Sequence, residues 1–159
     1  MAVAGRFESG QTEIKDLRLD PHSGYRAVHV CLRLPVRVEV QIRTHVQGAW
    51  ANVYEAAADM FGREIRYGQN PKDPAASEVV DALKSLSTEA IAGMEEERNL
   101  KARELLRLQE DVDGESPIFG QQVRDRLESE WNRRREDELR FRDRLMQIHD
   151  QFRAMQRRG

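Results

Sequence analysis

Two consecutive stretches of alternating residues constrain the fold of this chain more than any other feature. Val or Leu occupies every second position from 28 to 34, and Val or Ile does so from 36 to 42. Period-two alternation is typical of half-buried strands, and Pro35 interrupts it between the two stretches. The pattern therefore predicts an antiparallel hairpin with a tight turn near Pro35.

The predicted hairpin has one apolar and one polar face. The apolar face is expected to be the core face, and consists of Val28, Val30, Leu32, Leu34, Val36, Val38, Val40 and Ile42. The polar face gathers Tyr25, His29, Glu39, Gln41 and Arg43. A turn at Pro35 sets His29 opposite Gln41 and Cys31 opposite Glu39. Burial of the apolar side chains fixes this register, because a slip by one residue would exchange the two faces.

The polar face combines side chains that suit a nucleotide. A tyrosine ring can stack on a nucleobase, and arginine and histidine can bind phosphate oxygens. A glutamate can bind a divalent metal or accept a proton from a hydroxyl. Periodicity alone favours the plainer interpretation, an ordinary solvated sheet face.

The remaining chain is predicted to be mainly helical. Weak alternation over residues 12–20 indicates an edge strand, and apolar residues at three- and four-residue steps predict a helix over residues 45–61. Two longer helices are predicted over residues 77–110, with Ser77 as N-cap, and over residues 120–157. The expected class is α+β, with a small antiparallel sheet and long helices that form a C-terminal bundle.

The last predicted helix carries a heptad-like seam. It consists of Leu127, Trp131, Arg134, Glu138, Phe141, Leu145, Ile148, Phe152 and Met155. Such a seam must pack on the 77–110 helix, on a second copy of the chain, or on both. We therefore expect a homo-oligomer, a dimer formed through the C-terminal helices, and we expect Trp50 and Trp131 to lie in the core.

Composition restricts the classes of partner and compartment. The 28 acidic residues offset 26 basic ones to a net charge of −2, which provides no overall attraction for nucleic acid or anionic membranes. Cys31 is the single cysteine, so an internal disulfide is excluded and a reducing compartment is indicated. No stretch is apolar enough for a signal peptide or a membrane span. We expect a cytoplasmic protein that binds neither nucleic acid nor membranes.

Four short motifs resemble those of RelA/SpoT-type (p)ppGpp synthetases, in the same order. Residues 24–29 (GYRAVH) are similar to the family's GYR-S/A-x-H motif, and residues 39–44 (EVQIRT) resemble its E-x-Q-x-R-T motif. Residues 50–55 (WANVYE) resemble the WA-x-x-x-E start of the helix that follows. Residues 66–68 (RYG) resemble a segment of some actinobacterial and phage members. The resemblance covers residues 12–70.

The resemblance implies roles for the five residues of the polar face. Tyr25 corresponds to the tyrosine that stacks on the guanine of GDP or GTP, and His29 to the histidine near the phosphates of that nucleotide. Glu39 corresponds to the catalytic carboxylate associated with Mg²⁺ and with activation of the ribose 3′-hydroxyl. Gln41 and Arg43 correspond to residues that shape this site and stabilise it electrostatically. The family transfers pyrophosphate from ATP to that hydroxyl.

The sequence also departs from the family's pattern. Only 23 residues precede Gly24, where the family has an ATP-binding segment and a magnesium-binding aspartate. None of the early acids, Glu8, Glu13, Asp16 and Asp20, lies in a matching motif. The histidine that usually follows the WA-x-x-x-E motif is replaced by Ala56. Without a second carboxylate, Glu39 is a poor Mg²⁺ site.

These departures predict a partial synthetase domain over residues 1–70, which retains the guanine-nucleotide half, and a helical oligomerisation region over residues 71–159. A sheet reduced in this way leaves apolar surface and an unpaired edge, so we expect the C-terminal helices or a second chain to cover it.

Three functions remain open. The first is a homologue that makes no alarmone alone and acts by binding a guanine nucleotide or a protein partner, in a phage-defence setting that the phage members suggest. The second is an active small alarmone synthetase that completes its ATP site in trans. The third is an oligomerisation module built by the helices, with a sheet that has lost its function.

Overall fold

The computed structural model describes residues 12–33, 35–112 and 117–157, and shows an α+β fold. Its strands are β1 (Thr12–Asp16), β2 (Val28–Arg33) and β3 (Arg37–Ile42). Its helices are α1 (His45–Phe61), α2 (Pro74–Ser85), α3 (Ala92–Val112) and α4 (Pro117–Gln156). Two 3-10 turns (His22–Gly24 and Arg63–Tyr67) and a π-helical turn (Leu86–Ile91) connect them.

The sheet is antiparallel throughout, in the order β1-β2-β3. The predicted hairpin register is confirmed, because His29 lies opposite Gln41 and Cys31 lies opposite Glu39. The first strand is shorter than predicted and ends at Asp16. There the Asp16 carboxylate accepts hydrogen bonds from the backbone and side chain of Arg18, and these bonds stabilise the turn that follows the strand.

The prediction that the apolar face of the hairpin is the core face holds for part of β2 and is wrong for β3. Val30 and Leu32 are buried. The apolar side chains from Val36 to Ile42, in contrast, are 37–74% exposed, because none of the described helices makes extensive contact with β3. Leu34 lies outside the described residues.

The expectation that the C-terminal helices cover this apolar surface is also wrong for the described parts of the chain. The reason is that α4 packs along α1 instead of along the sheet. The other possibility, coverage by a second chain, stays a prediction.

The hydrophobic core lies between the helices. Its larger members are Val46, Trp50, Val53, Tyr54, Ile65, Val80, Leu83, Ile91, Leu145 and Phe152. Residues 56–58 are three fully buried alanines in α1. Their small size suits close approach of α4, where the Gln156 side chain donates a hydrogen bond to the Ala56 carbonyl oxygen.

The helix predicted over residues 77–110 begins earlier and is interrupted. Its N-cap is Asp73 and not Ser77, because the Asp73 carboxylate accepts a hydrogen bond from the Ala76 backbone nitrogen at 2.8 Å. Pro74 then occupies the first turn, where its missing N–H costs nothing. The π-helical turn separates α2 from α3 and buries the side chain of Ser87.

The seam of α4 is divided between two partners. Leu145 and Phe152 enter the core with α1. The two charged seam positions face α3, where Arg134 pairs with Glu97 at 2.7 Å and Glu138 pairs with Arg98 at 3.5 Å. Trp131 is 39% exposed, so its predicted place in the core is wrong.

None of the helices in the described ranges combines the length and the apolar character that a bilayer crossing demands.

Asp16 gives the fold a measurable pH dependence. Hydrogen bonds from Arg18 lower the pKa of the Asp16 carboxyl from 3.8 to about 2. Because the folded pKa is the lower one, its stabilisation is present above pH 3.8 and is lost as the pH falls towards 2. We expect the wild type to lose more of its free energy of unfolding between pH 5 and pH 3 than Asp16→Asn does, as measured by urea denaturation at about these pH values. Equal losses in the two proteins would contradict this assignment.

Candidate functional site

Four of the five residues predicted for the polar face form one hydrogen-bonded network. The Tyr25 hydroxyl donates to Gln41 Oε1 at 3.0 Å and lies 3.1 Å from His29 Nε2. Gln41 Nε2 donates to Glu39 Oε1 at 3.1 Å, and His29 Nδ1 lies 3.2 Å from the same oxygen. The chain of contacts therefore returns to Tyr25, and each side chain holds two of the others in place.

The hydrogen-bond pattern links the His29 ring to the orientation of the Tyr25 hydroxyl. The Tyr25 proton can be donated either to Gln41 Oε1 or to His29 Nε2, but not to both at once. The His29 tautomer that donates from Nδ1 to Glu39 leaves Nε2 as an acceptor for that proton. The two hydrogen bonds of the Tyr25 proton are therefore alternatives within one network.

The environments of Glu39 and Tyr25 shift the pKa values of these two side chains in opposite directions. Hydrogen bonding by Gln41 lowers the pKa of the Glu39 carboxyl, and the neighbouring His29 and Cys31 act in the same direction. Glu39 is consequently a carboxylate at neutral pH. Burial raises the pKa of the Tyr25 hydroxyl, which therefore stays a neutral donor.

Arg43 lies beside the network at the end of β3. Its positive charge is close enough to the Tyr25 hydroxyl to oppose the rise in the Tyr25 pKa that burial causes. The Arg43 residue is exposed, and its guanidinium has no salt-bridge partner among the described residues. The polar face thus offers an aromatic ring, a carboxylate and a cation to a ligand.

The loop before Tyr25 is fixed by the helical core. Gly24 adopts φ +82°, and a Cβ built on it would lie 3.0 Å from the Trp50 ring. The Ser87 hydroxyl donates to the Gly24 carbonyl oxygen, and Trp50 Nε1 donates to the Leu83 carbonyl oxygen at 2.7 Å. Tyr25 itself packs against the core cluster, so the helices determine where its ring stands.

The other two motifs support the same loop. Arg66 forms salt bridges with Glu55 and Asp59 of α1. The carbonyl oxygen of Arg66 accepts a hydrogen bond from Ser23 Oγ at 3.4 Å. Gly68 ends the turn with φ +83°, close to the side chain of Ser23. All four motifs singled out in the sequence therefore meet around the loop that carries Tyr25.

Sequence reasoning missed Ser87 as a residue that positions this site. It is separated from Gly24 by 63 residues and stands in a helical stretch without any motif. A serine at a position where the helical pattern predicts an apolar residue was the available signal. Cys31, predicted to be a small packed thiol, is buried, and its sulfur lies 3.8 Å from Glu39 Oε2.

Glu39 is the residue of this face that could contribute to a magnesium site. Mg²⁺ is usually held by one or two carboxylates together with substrate phosphates and water. The ionised Glu39 fits the role of one such ligand. The described residues contain no group of three or more His, Cys, Asp or Glu side chains that could hold a metal ion without a nucleotide.

Comparisons with known proteins find relatives in mycobacteria. The uncharacterized proteins Rv1366 of Mycobacterium tuberculosis and Mb1401 of Mycobacterium bovis are each 54% identical to this chain over 85 residues. The match covers 53% of this chain and 31% of each relative, so the chain matches about a third of the length of these curated relatives. No family model matches the chain. No solved structure matches it either.

Proposed function

We propose that the polar face of the hairpin is a binding surface for a guanine nucleotide. The observation that carries this proposal is the network that fixes the Tyr25 ring through Gln41, His29 and Glu39. A ring that is already held in one orientation loses little conformational entropy when a base stacks on it. The resemblance of these same residues to a guanine-nucleotide site indicates which base that would be.

Each member of the face has a role in this proposal. The guanine stacks on Tyr25, as nucleobases do on exposed aromatic rings. Arg43 attracts the phosphates, and the His29 ring can donate a hydrogen bond to them. Glu39, with Mg²⁺ when it is bound, orients the ribose and the phosphate chain; the ion would supply neutralisation of the phosphate charge.

Binding, rather than pyrophosphate transfer by this chain alone, is the function we propose. Transfer between two nucleotides depends on holding both of them in line. The polar face provides one aromatic ring, Tyr25, and one networked carboxylate, Glu39, which suffices for one nucleotide.

The proposal is tested by isothermal titration calorimetry with GDP. Tyr25→Ala is expected to weaken GDP binding by roughly five- to 150-fold, because one base stack contributes about 1–3 kcal/mol. Trp131→Ala removes an exposed aromatic residue of α4 that belongs to none of the four motifs, and as the control it should bind like the wild type. GDP binding that is equally strong in Tyr25→Ala and Trp131→Ala would refute the proposal.

The second candidate is a synthetase that completes its ATP site in trans. The lowered pKa of Glu39 favours it, because a carboxylate that activates a hydroxyl must be ionised. Incubation of the chain with labelled ATP, GDP and Mg²⁺ separates the two functions. We expect no (p)ppGpp from this chain alone. Formation of the product, with its loss in Glu39→Gln, would establish the enzyme instead.

A further inference from the structure

A cleft lies on the opposite side of the sheet from Tyr25, where β2 and β3 meet the first turn of α1 and the first two turns of α3. Its volume is about 380 Å³. Val28 and Ile42 line it from the apolar face of the sheet, whereas His29 and Gln41 point to the other face. The cleft therefore opens on the other face of the sheet from the proposed nucleotide surface, and Arg43 is the residue that borders both.

The lining of this cleft is rich in positive charge. Arg18, Arg26, Arg43 and Arg98 line it, against a single carboxylate, that of Glu95. Glu95 pairs with Arg26 at 3.5 Å, and Asp16 and Glu138 pair with Arg18 and Arg98 from outside the lining, so an excess of one positive charge remains, at Arg43. An anion that enters the cleft is thus attracted by several guanidinium groups.

Buried donors in this region lack hydrogen-bond partners. Gln47 lines the cleft and is 2% exposed, and its side-chain Nε2 is buried without a partner. The Nε atom of Arg26 is likewise buried and has no hydrogen-bond partner. Both groups can only donate, and a buried donor without an acceptor is costly. A ligand with several acceptor oxygens would remove this cost.

The start of α1 is already paired with a carboxylate. Thr44 is the N-cap, and its hydroxyl donates to the Glu95 carboxylate at 2.7 Å. The helix therefore already has one carboxylate near its N-terminus, as its dipole favours. Glu95 does not accept a hydrogen bond from Gln47 Nε2, which stays without a partner.

We infer that this cleft binds a phosphate-bearing anion. Gln47 Nε2 and the guanidinium groups of Arg26 and Arg98 donate to the phosphate oxygens. A phosphate matches this set of donors better than a carboxylate does, because it presents more acceptor oxygens in more directions. Neither Tyr25 nor the hydrogen-bonded network takes part.

Inorganic pyrophosphate is the probe for this inference, with calorimetry at low salt as the measurement. Saturable binding is expected for the wild type, and binding at least about tenfold weaker for Gln47→Leu and Arg98→Gln, because hydrogen bonds to charged groups are the strong ones. Arg63→Gln removes the same charge from an exposed position away from the cleft, and should bind like the wild type. Circular dichroism verifies that each variant is folded.

A further variant separates this site from the nucleotide surface. Tyr25→Ala should keep its affinity for pyrophosphate, whatever happens to its affinity for GDP. If GDP displaces pyrophosphate from Tyr25→Ala, the ligand is a nucleotide phosphate; if it does not, the ligand is a small inorganic anion. The inference is overturned if the wild type shows no saturable binding, if Arg63→Gln weakens binding as much as Arg98→Gln, or if only Tyr25→Ala loses it.

Discussion

Replacement of Trp50 by alanine is expected to lower the free energy of unfolding by about 3–5 kcal/mol, the usual cost of truncating a large buried aromatic residue. Trp50 is 1% exposed, stacks on Tyr54 at 4.9 Å and donates to the Leu83 carbonyl oxygen. It also forms the wall against which Gly24 lies. Its loss would therefore leave a cavity, an unpaired carbonyl oxygen and an unsupported binding loop.

Trp131→Ala is the matched control for this substitution. Trp131 is 39% exposed, lies in the first half of α4 and is not part of the core cluster. Its truncation should cost about 1 kcal/mol, in proportion to the smaller apolar area that it buries. Urea denaturation followed by circular dichroism measures both losses. Similar losses for the two tryptophans would show that Trp50 does not have the central place in the core described above.

Replacement of Gly24 by alanine is expected to cost about 2–4 kcal/mol, because two penalties combine. The backbone at Gly24 has φ +82°, which L-residues with a Cβ rarely adopt. The added methyl group would also lie 3.0 Å from the Trp50 ring and 3.3 Å from the Cα of Lys84, which is part of the backbone and cannot turn aside. The loop would shift, and the position of Tyr25 with it.

Gly93→Ala provides the comparison for Gly24→Ala. Gly93 lies in α3, and a Cβ built on it meets nothing within 4 Å. Alanine is a better helix former than glycine, so this variant should gain up to about 1 kcal/mol. Thermal or urea unfolding measures both changes, and calorimetry should show weaker GDP binding in Gly24→Ala alone. A neutral Gly24→Ala that binds GDP normally would contradict the geometry of the loop.

The hairpin and its register could be predicted from the sequence because alternation determines which side chains share a face. The pairings of His29 with Gln41 and of Cys31 with Glu39 follow from that pattern and from Pro35. Alternation does not determine whether anything covers the apolar face, however. The exposure of Val40 depends on where the helices pack, and that is decided by α1, whose small buried residues accept α4.

The hydrogen bonds within the site were beyond prediction for a related reason. Period-two spacing places Tyr25, Glu39 and Gln41 on one face, yet it leaves their rotamers open. The contact of Ser87 with Gly24 joins residues 63 positions apart, and no local pattern reports such a contact. The predicted N-cap is wrong because Ser77 and Asp73 are both good caps, and the signal that favours Asp73 is Pro74, which suits the first position of a helix.

The ring of Tyr25 is predicted to receive a guanine base while the surrounding network holds the ring in one orientation. An NMR titration with GDP tests this directly, through the side-chain amide of Gln41 and the backbone amides of Tyr25 and His29. We predict saturable shifts at these groups with GDP and much smaller ones with ADP at the same concentration. The absence of saturable shifts with GDP, or the same response to both nucleotides, would contradict the account.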